Sequence, residues 1–199
     1  MKDKILDSSK NLFLNLGFKS VTMDEIASNL GVSKKTIYKF FKNKTELVKA
    51  VTDHMFDIIC EGIDVICQKK LNPIEEIFSI KRMVMQHLKD EKSSPQYQLQ
   101  KYYPKIYGSL KTKQFQILQE TIKENLKTGV HLGLFRDNID VEFIARIYFY
   151  GMIGIKDQEV FPLSNFSMND LMLNYLEYHL RGISTEQGVK ELNKQLKQK

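Results

Sequence analysis

The chain has 199 residues, enough to bury one good core or a small domain attached to a larger one. With 42% hydrophobic and 27% charged residues it has the composition of a globular protein rather than a disordered one. Its net charge of +6 points toward an anionic partner.

Two further classes drop out early. Residues 1–10 already hold three lysines and two aspartates, unlike the apolar core of a signal peptide. The longest nearly apolar run, residues 144–155, contains Arg146 and falls short of the ~20 residues that span a membrane. A cytoplasmic location is the expectation. The charge is also uneven. Residues 1–50 carry ten lysines against five acids, and the remaining 149 carry 20 basic residues against 19 acidic ones. The N-terminal quarter therefore needs an electrostatic partner, or else presents a merely solvated basic face.

Taken in chain order, nearly every segment reads as helix, about nine in total. Ile5, Leu6, Leu12, Phe13 and Leu16 mark one face of a first helix, and Gly17 stands where a left-handed C-terminal cap belongs. Thr22 and Glu25 form a capping box for a second helix that ends at Leu30, with Gly31 as the turn. Ser33 caps a third helix reaching about Phe40. Asn43 opens a long fourth one with Leu47, Val51, Met55, Ile58, Gly62 and Ile66 along a stripe. Asn72-Pro73 breaks the chain and starts a fifth helix carrying Ile74, Ile77, Phe78, Val84, Met85 and Leu88.

Residues 90–112 read as the least regular part, with Ser93, Ser94, Pro95, Pro104 and Gly108 beside four tyrosines, Tyr97, Tyr102, Tyr103 and Tyr107. A helix is expected from about Thr112, with Gly129 and Gly133 marking its end. Asn138 or Asp140 starts the next, through about Lys156. The last strong helix runs over residues 167–181, and the tail beyond Gly182 reads as polar and lysine-rich. Cys60 and Cys67 lie seven apart on a helix, so their Cα atoms stand ~10.5 Å apart, too far for a disulfide.

The segment over residues 22–44 carries the chemistry. Ile26 and Leu30 face inward from the first helix of a pair, Ala27 is small where the helices must approach, and Gly31 permits the positive φ of a tight turn. Val32, Ile37 and Phe40 complete the inner face. What remains outward on the second helix is Lys34, Lys35, Thr36, Tyr38 and Lys39. Lys34, Lys35, Lys39, Lys42, Lys44 and Lys49 against Glu46 give a net +5 in sixteen residues. Such a helix can present donors to base edges and phosphates while its partner crosses the backbone. The amides at the helix starts capped by Thr22 and Asn43 offer further phosphate sites. Candidate DNA-binding residues are Thr22, Lys34, Lys35, Thr36, Tyr38, Lys39 and Lys44.

These residues resemble the DNA-binding signature of the TetR family of bacterial transcriptional regulators. The resemblance rests on a threonine opening the second helix, then Ile26-Ala27, Gly31-Val32-Ser33, Thr36-Ile37-Tyr38, Phe40-Phe41, Asn43-Lys44 and Glu46-Leu47. It covers about residues 1–50, and Gly133-Leu134-Phe135-Arg136 with Asn138-Ile139-Asp140 is similar to the segment before the family's penultimate helix. Lys35 departs from the pattern, standing where many members have glycine. The resemblance implies an all-α homodimer in which residues 1–48 form a helix-turn-helix DNA-binding domain (motif about 22–41). Residues 49–199 would form a helical ligand-binding and dimerisation domain. It further implies a repressor released from its palindromic operator by a small molecule. The boundary is expected inside the fourth helix, with no flexible linker.

The remaining residues are less telling. Residues 141–155 are apolar on more than one side, and with the 167–181 helix they suggest a dimer seam through Tyr148, Gly151, Met152, Leu171, Tyr175 and Tyr178. A wholly intrasubunit core is the alternative. Eight methionines, 12 phenylalanines and nine tyrosines offer adaptable pocket lining, and Phe78, Met85, Tyr103, Tyr107, Phe115 and Met152 are the candidates for an effector, or else ordinary core. His54, His87, His131 and His179 have no metal-ligand spacing, so no metal or cofactor is expected. The chain has no nucleophile elbow, P-loop or dinucleotide fingerprint, which argues against an enzyme. A helical partner-binding or membrane-surface protein with a basic N-terminus is the competing reading, as is an activator.

Overall fold

The computed structural model describes residues 1–88 and 94–197, so Ser93 of the expected break lies outside the described residues. Ten α-helices are present among them: α1 (Lys2–Leu16), α2 (Met23–Leu30), α3 (Lys34–Tyr38), α4 (Lys44–Cys67), α5 (Pro73–His87), α6 (Pro95–Tyr102), α7 (Pro104–His131), α8 (Val141–Gly154), α9 (Met168–Ile183) and α10 (Glu186–Leu196). No strand occurs among the described residues beyond an isolated bridge between Phe135 and Ser184. The chain divides into two compact units, Met1–Glu61 with His87–Lys111, and Gly62–Gln86 with Thr112–Lys199. The helix α4 runs unbroken through the division.

The first unit is built around a core of Ile5, Phe13, Phe18, Val21, Ile26, Ile37, Phe41, Leu47, Val48, Val51 and Leu99. Phe13 and Phe18 stack with ring centroids 4.9 Å apart, closing the end of α1 onto the turn before α2. Gly17 has φ 86° and ψ 155°, a positive φ outside the left-handed helical region expected of it. A Cβ built there would stand 2.3 Å from the Gln98 amide, so glycine is required by the closeness of α6 as well as by its φ. The inner face also differs from expectation by one residue. Phe40 is exposed and Phe41 is buried, because α3 ends at Tyr38 and the chain unwinds before the next turn is complete.

The helical content beyond residue 94 exceeds what periodicity suggests. Pro95 sits at the first turn of α6, where its missing N–H is harmless, and Leu99 is that helix's anchor in the core. Pro104 then opens α7 eight residues before the expected start at Thr112. The polar tail also holds a helix. Thr185 caps α10 by accepting a hydrogen bond from Gly188 N at 3.1 Å, and Leu192 is fully buried.

The second unit has two apolar clusters. Ile74, Phe78, Leu126, Leu134, Phe135, Leu180, Ile183 and Leu192 form one; Met85, Ile155, Met168, Leu171 and Met172 form the other. The α7–α8 loop is tied to the α9–α10 loop by Arg136 N donating to the Ile183 carbonyl (2.8 Å) and Thr185 N donating to the Leu134 carbonyl (3.0 Å). Gly129 lies in the last turn of α7 and Gly133, with φ 67°, just past its end, and Phe135 folds back over Gly129. A Cβ at Gly129 would stand 2.0 Å from the Phe135 ring. Gly129→Ala is therefore expected to lose about 1–3 kcal/mol through overpacking, outweighing the ~1 kcal/mol gained in helix propensity, as read by urea denaturation.

Candidate nucleic-acid interface

The helix-turn-helix is assembled by local hydrogen bonding. Thr22 Oγ1 accepts from Glu25 N at 3.2 Å while Glu25 Oε2 accepts from Thr22 N at 2.6 Å, so α2 starts in a reciprocal capping box worth about 1 kcal/mol. Gly31 ends α2 with φ 64° and ψ 30°, and the chain turns at once into Ser33, whose Oγ accepts from Thr36 N at 3.2 Å to start α3. Ala27 and Ile26 are buried beneath the turn, and Ile37 is fully buried from the α3 side.

This fixes the direction in which the rest of α3 points. Lys34, Lys35, Tyr38 and Lys39 are exposed and Thr36 is half-buried; none of the five belongs to the core. Lys34 Nζ donates to Asp24 Oδ2 at 2.7 Å, and that hydrogen bond raises the lysine's pKa above its ordinary value, keeping it charged. The Thr36 and Ser33 hydroxyls lie 2.9 Å apart. Lys44, at the start of α4, is less exposed. Its Nζ donates to the Lys19 carbonyl at 3.0 Å, and partial burial lowers its pKa. Its cation thus braces the α1–α2 turn against α4. Nearby, Asn43 Oδ1 accepts from Glu46 N at 2.9 Å and Glu46 Oε2 accepts from Lys42 N at 2.9 Å, a second reciprocal helix start. Thr22, Lys34, Lys35, Thr36, Tyr38, Lys39 and Lys44 therefore all stand on one compact unit.

The six effector candidates are spread over separate packing groups. Phe78 lies in the first cluster of the second unit, Met85 and Met152 in or against its methionine-rich cluster, and the Phe115 ring packs edge-on to Phe149 at 5.3 Å. Tyr103 and Tyr107 belong instead to the first unit, packed on its core, and burial raises the Tyr103 pKa.

The residues suggested for a seam divide by role. Tyr175 Oη donates to the carbonyls of Ile147 and Tyr148, both at 3.0 Å, and its ring fills the space above Gly151, where a Cβ would stand 2.2 Å from the hydroxyl. Leu171 is buried, and Met152 packs against the same cluster, so these four lock α9 to α8 within one chain. Tyr148 lies against Tyr175 and His179. Tyr178 alone of the six faces outward, 79% exposed. On α8, Phe143, Ile147, Tyr150 and Gly154 form an exposed stripe at spacings of four, three and four. Phe143, Ile147 and Tyr150 are not among the seam residues that the sequence suggests, although the i, i+4, i+7, i+11 spacing marks them.

His179 is buried against the Tyr148 and Tyr175 rings, and burial pushes its pKa down to about 4 from 6.5. Above pH 6.5 the imidazole is neutral in both folded and unfolded chains. As pH falls from 6.5 toward 4, the unfolded chain binds a proton that the folded one refuses. Stability is therefore expected to drop by about 2 kcal/mol between pH 7.5 and pH 5 from this group alone. Urea denaturation at the two pH values reads it, and His179→Leu is expected to remove that part of the difference.

Comparison with known proteins bears on residues 5–51, which match the sequence model of "Bacterial regulatory proteins, tetR family". The chain is 22% identical over 196 residues to the HTH-type transcriptional repressor KstR2 of Mycolicibacterium smegmatis, covering 95% of this chain and 93% of that protein. It is 27% identical over 188 residues to the uncharacterized HTH-type transcriptional regulator YdeS of Bacillus subtilis, covering 85% of each. In fold it is similar to SmeT, the repressor of the Stenotrophomonas maltophilia multidrug efflux pump SmeDEF, with a TM-score of 0.69 at 14% identity over 94% of this chain and 91% of that one. SmeT has also been solved in complex with triclosan.

Proposed function

Because the chain belongs to the TetR family of bacterial regulators, we propose that it is a repressor that holds its operator as a homodimer and lets go when a small molecule binds. The carrying observation is the capped α2, the left-handed Gly31 turn and the exposed side chains of α3, which together form a helix that a core has no use for. Lys34, Lys35, Thr36, Tyr38 and Lys39 enter the major groove, and the starts of α2 and α4, with Thr22 and Lys44, seat on phosphates. Residues 1–48 do the reading, and residues 49–199 supply the effector and dimer functions.

One α3 reads too few base pairs for a specific site, so two copies, ~34–36 Å apart, address successive major grooves of a near-palindrome. The exposed stripe of Phe143, Ile147 and Tyr150, together with exposed Tyr178, supports a seam between two subunits. The effector is an apolar small molecule, in keeping with the triclosan complex of SmeT and with the phenylalanine and methionine side chains of the second unit. Phe78, Met85, Phe115 and Met152 are its proposed contacts, while Tyr103 and Tyr107 sit with the first unit's core. No catalytic role is assigned. The proteins it resembles are regulators.

Selection of bound duplexes from a random pool tests this directly. The expected product is one near-palindromic sequence, protected in a footprint and released on adding the right apolar ligand. Equal affinity for random DNA and for anionic vesicles, with no enriched sequence, would instead favour a membrane-surface protein. Lys39→Ala is expected to weaken binding to every sequence alike. It is also expected to lower the slope of log affinity against log salt by about one for each phosphate that the side chain neutralises. Titration by fluorescence anisotropy at several salt concentrations measures it.

A further inference from the structure

The first unit carries basic side chains that the helix-turn-helix does not use. Between residues 94 and 111 the chain contains Lys101, Lys105 and Lys111 and no aspartate or glutamate, interleaved with Tyr97, Tyr102, Tyr103 and Tyr107. The helix α6 at the start of this stretch docks on the turn between α1 and α2. Gln98 Oε1 accepts from Lys19 N at 3.2 Å, the Gln98 amide fills the space above Gly17, and Leu99 enters the core. That docking brings two ammonium groups to one ring: Lys19 Nζ stands 5.1 Å and Lys101 Nζ 5.9 Å from the Tyr102 centroid. Lys101 also reaches the Tyr97 ring, at 5.5 Å. Lys105 is exposed one short step further along the chain.

The aromatic faces stabilise both cations, yet like charges gathered this closely repel, and a polyanion would relieve the repulsion. The cluster is also continuous with the reading surface, because the Lys19 carbonyl is the acceptor of Lys44 Nζ at the start of α4. We propose that Lys19, Lys101 and Lys105, with the Tyr97 and Tyr102 hydroxyls, form a second phosphate-binding patch that grips duplex DNA flanking the operator. This rests on the DNA-binding reading above. The patch carries no base-reading geometry, so its contribution is independent of sequence and sensitive to salt.

The test uses the full chain and two duplexes with the same pool-selected site, one ending at the site and one with ten mixed-sequence base pairs added on each side. Fluorescence anisotropy at about 100 mM salt is expected to give the wild type roughly tenfold tighter binding to the long duplex. Lys19→Gln/Lys101→Gln/Lys105→Gln is expected to bind the short duplex as the wild type does, to lose the advantage on the long one, and to show a shallower salt slope there. The corresponding triple arginine variant is expected to retain the advantage. A glutamine variant that keeps the full long-duplex advantage overturns the proposal, as does one that loses equally on both duplexes. If the wild type binds neither duplex better than a scrambled one, it is the DNA-binding reading that fails. Thermal melting of the variants, with α6 docked through Gln98 and Leu99 rather than through the lysine charges, is expected to match the wild type.

Discussion

The double variant Ile147→Glu/Tyr150→Glu is expected to be a folded monomer that no longer protects its operator. Ile147 is 45% and Tyr150 69% exposed, so the substitutions leave the subunit's own core intact. In the proposed dimer the same side chains meet a second copy. Burying an isoleucine or an aromatic side chain contributes about 1.5–3 kcal/mol. A carboxylate in its place must be desolvated without a partner, which costs several kcal/mol more. Four such substitutions per dimer place the dissociation constant at least about 10³-fold higher. Sedimentation or light scattering reads the mass, and anisotropy on a full site against a half-site reads the consequence for DNA. Persistence of the dimer would move the seam off α8. Tyr178→Glu on α9 provides the independent check, because it is the most exposed of the large apolar residues.

Replacing Lys34, Lys35, Thr36, Tyr38 and Lys39 together by alanine is expected to abolish sequence-selective binding, with at least about 10³-fold weaker affinity for the selected site. Folding stability is expected to stay within about 1 kcal/mol of the wild type, as read by urea denaturation. The physical reason lies in what those residues do not do. The α3 cap is made by Ser33, its anchor is Ile37, and the turn before it is made by Gly31, none of which is altered. The Lys34–Asp24 ion pair is exposed and contributes little, and alanine favours the helix. Selective binding that survived the five changes would refute α3 as the reading element.

Most of the reading domain is legible in the sequence because its signals are local. The Thr22–Glu25 capping box, the Gly31 turn and the Ser33 cap each depend on residues at most four apart, and all three are found where spacing puts them. The same holds for the starts of α5, α8 and α9 at Pro73, Asp140 and Ser167. What escapes depends on distant partners. Eight residues with one buried leucine are too short for periodicity to reveal α6, which is held by Gly17 and Lys19, some 80 residues away in sequence. The helix α10 hides in a polar tail because its anchors, Leu192 and Gly188, have meaning only against the loop at Leu134. Phe40 and Phe41 are chemically alike, so composition cannot tell which faces inward where α3 unwinds. Apolar richness in residues 141–154 likewise cannot separate Phe149, buried, from Tyr150, which points out.

The division of labour within α3 has an evolutionary corollary. The residues that let this helix fold and the residues proposed to face the groove are different residues, with Ile37 serving the first set and its neighbours on either side the second. Changes in the outward set are expected to be nearly silent in folding, which on the proposed reading leaves the recognised sequence free to drift while the scaffold stays fixed. Lys35 belongs to that outward set, exposed and outside the core. A duplicated copy of this gene could acquire a new set of targets through a handful of substitutions in one five-residue helix.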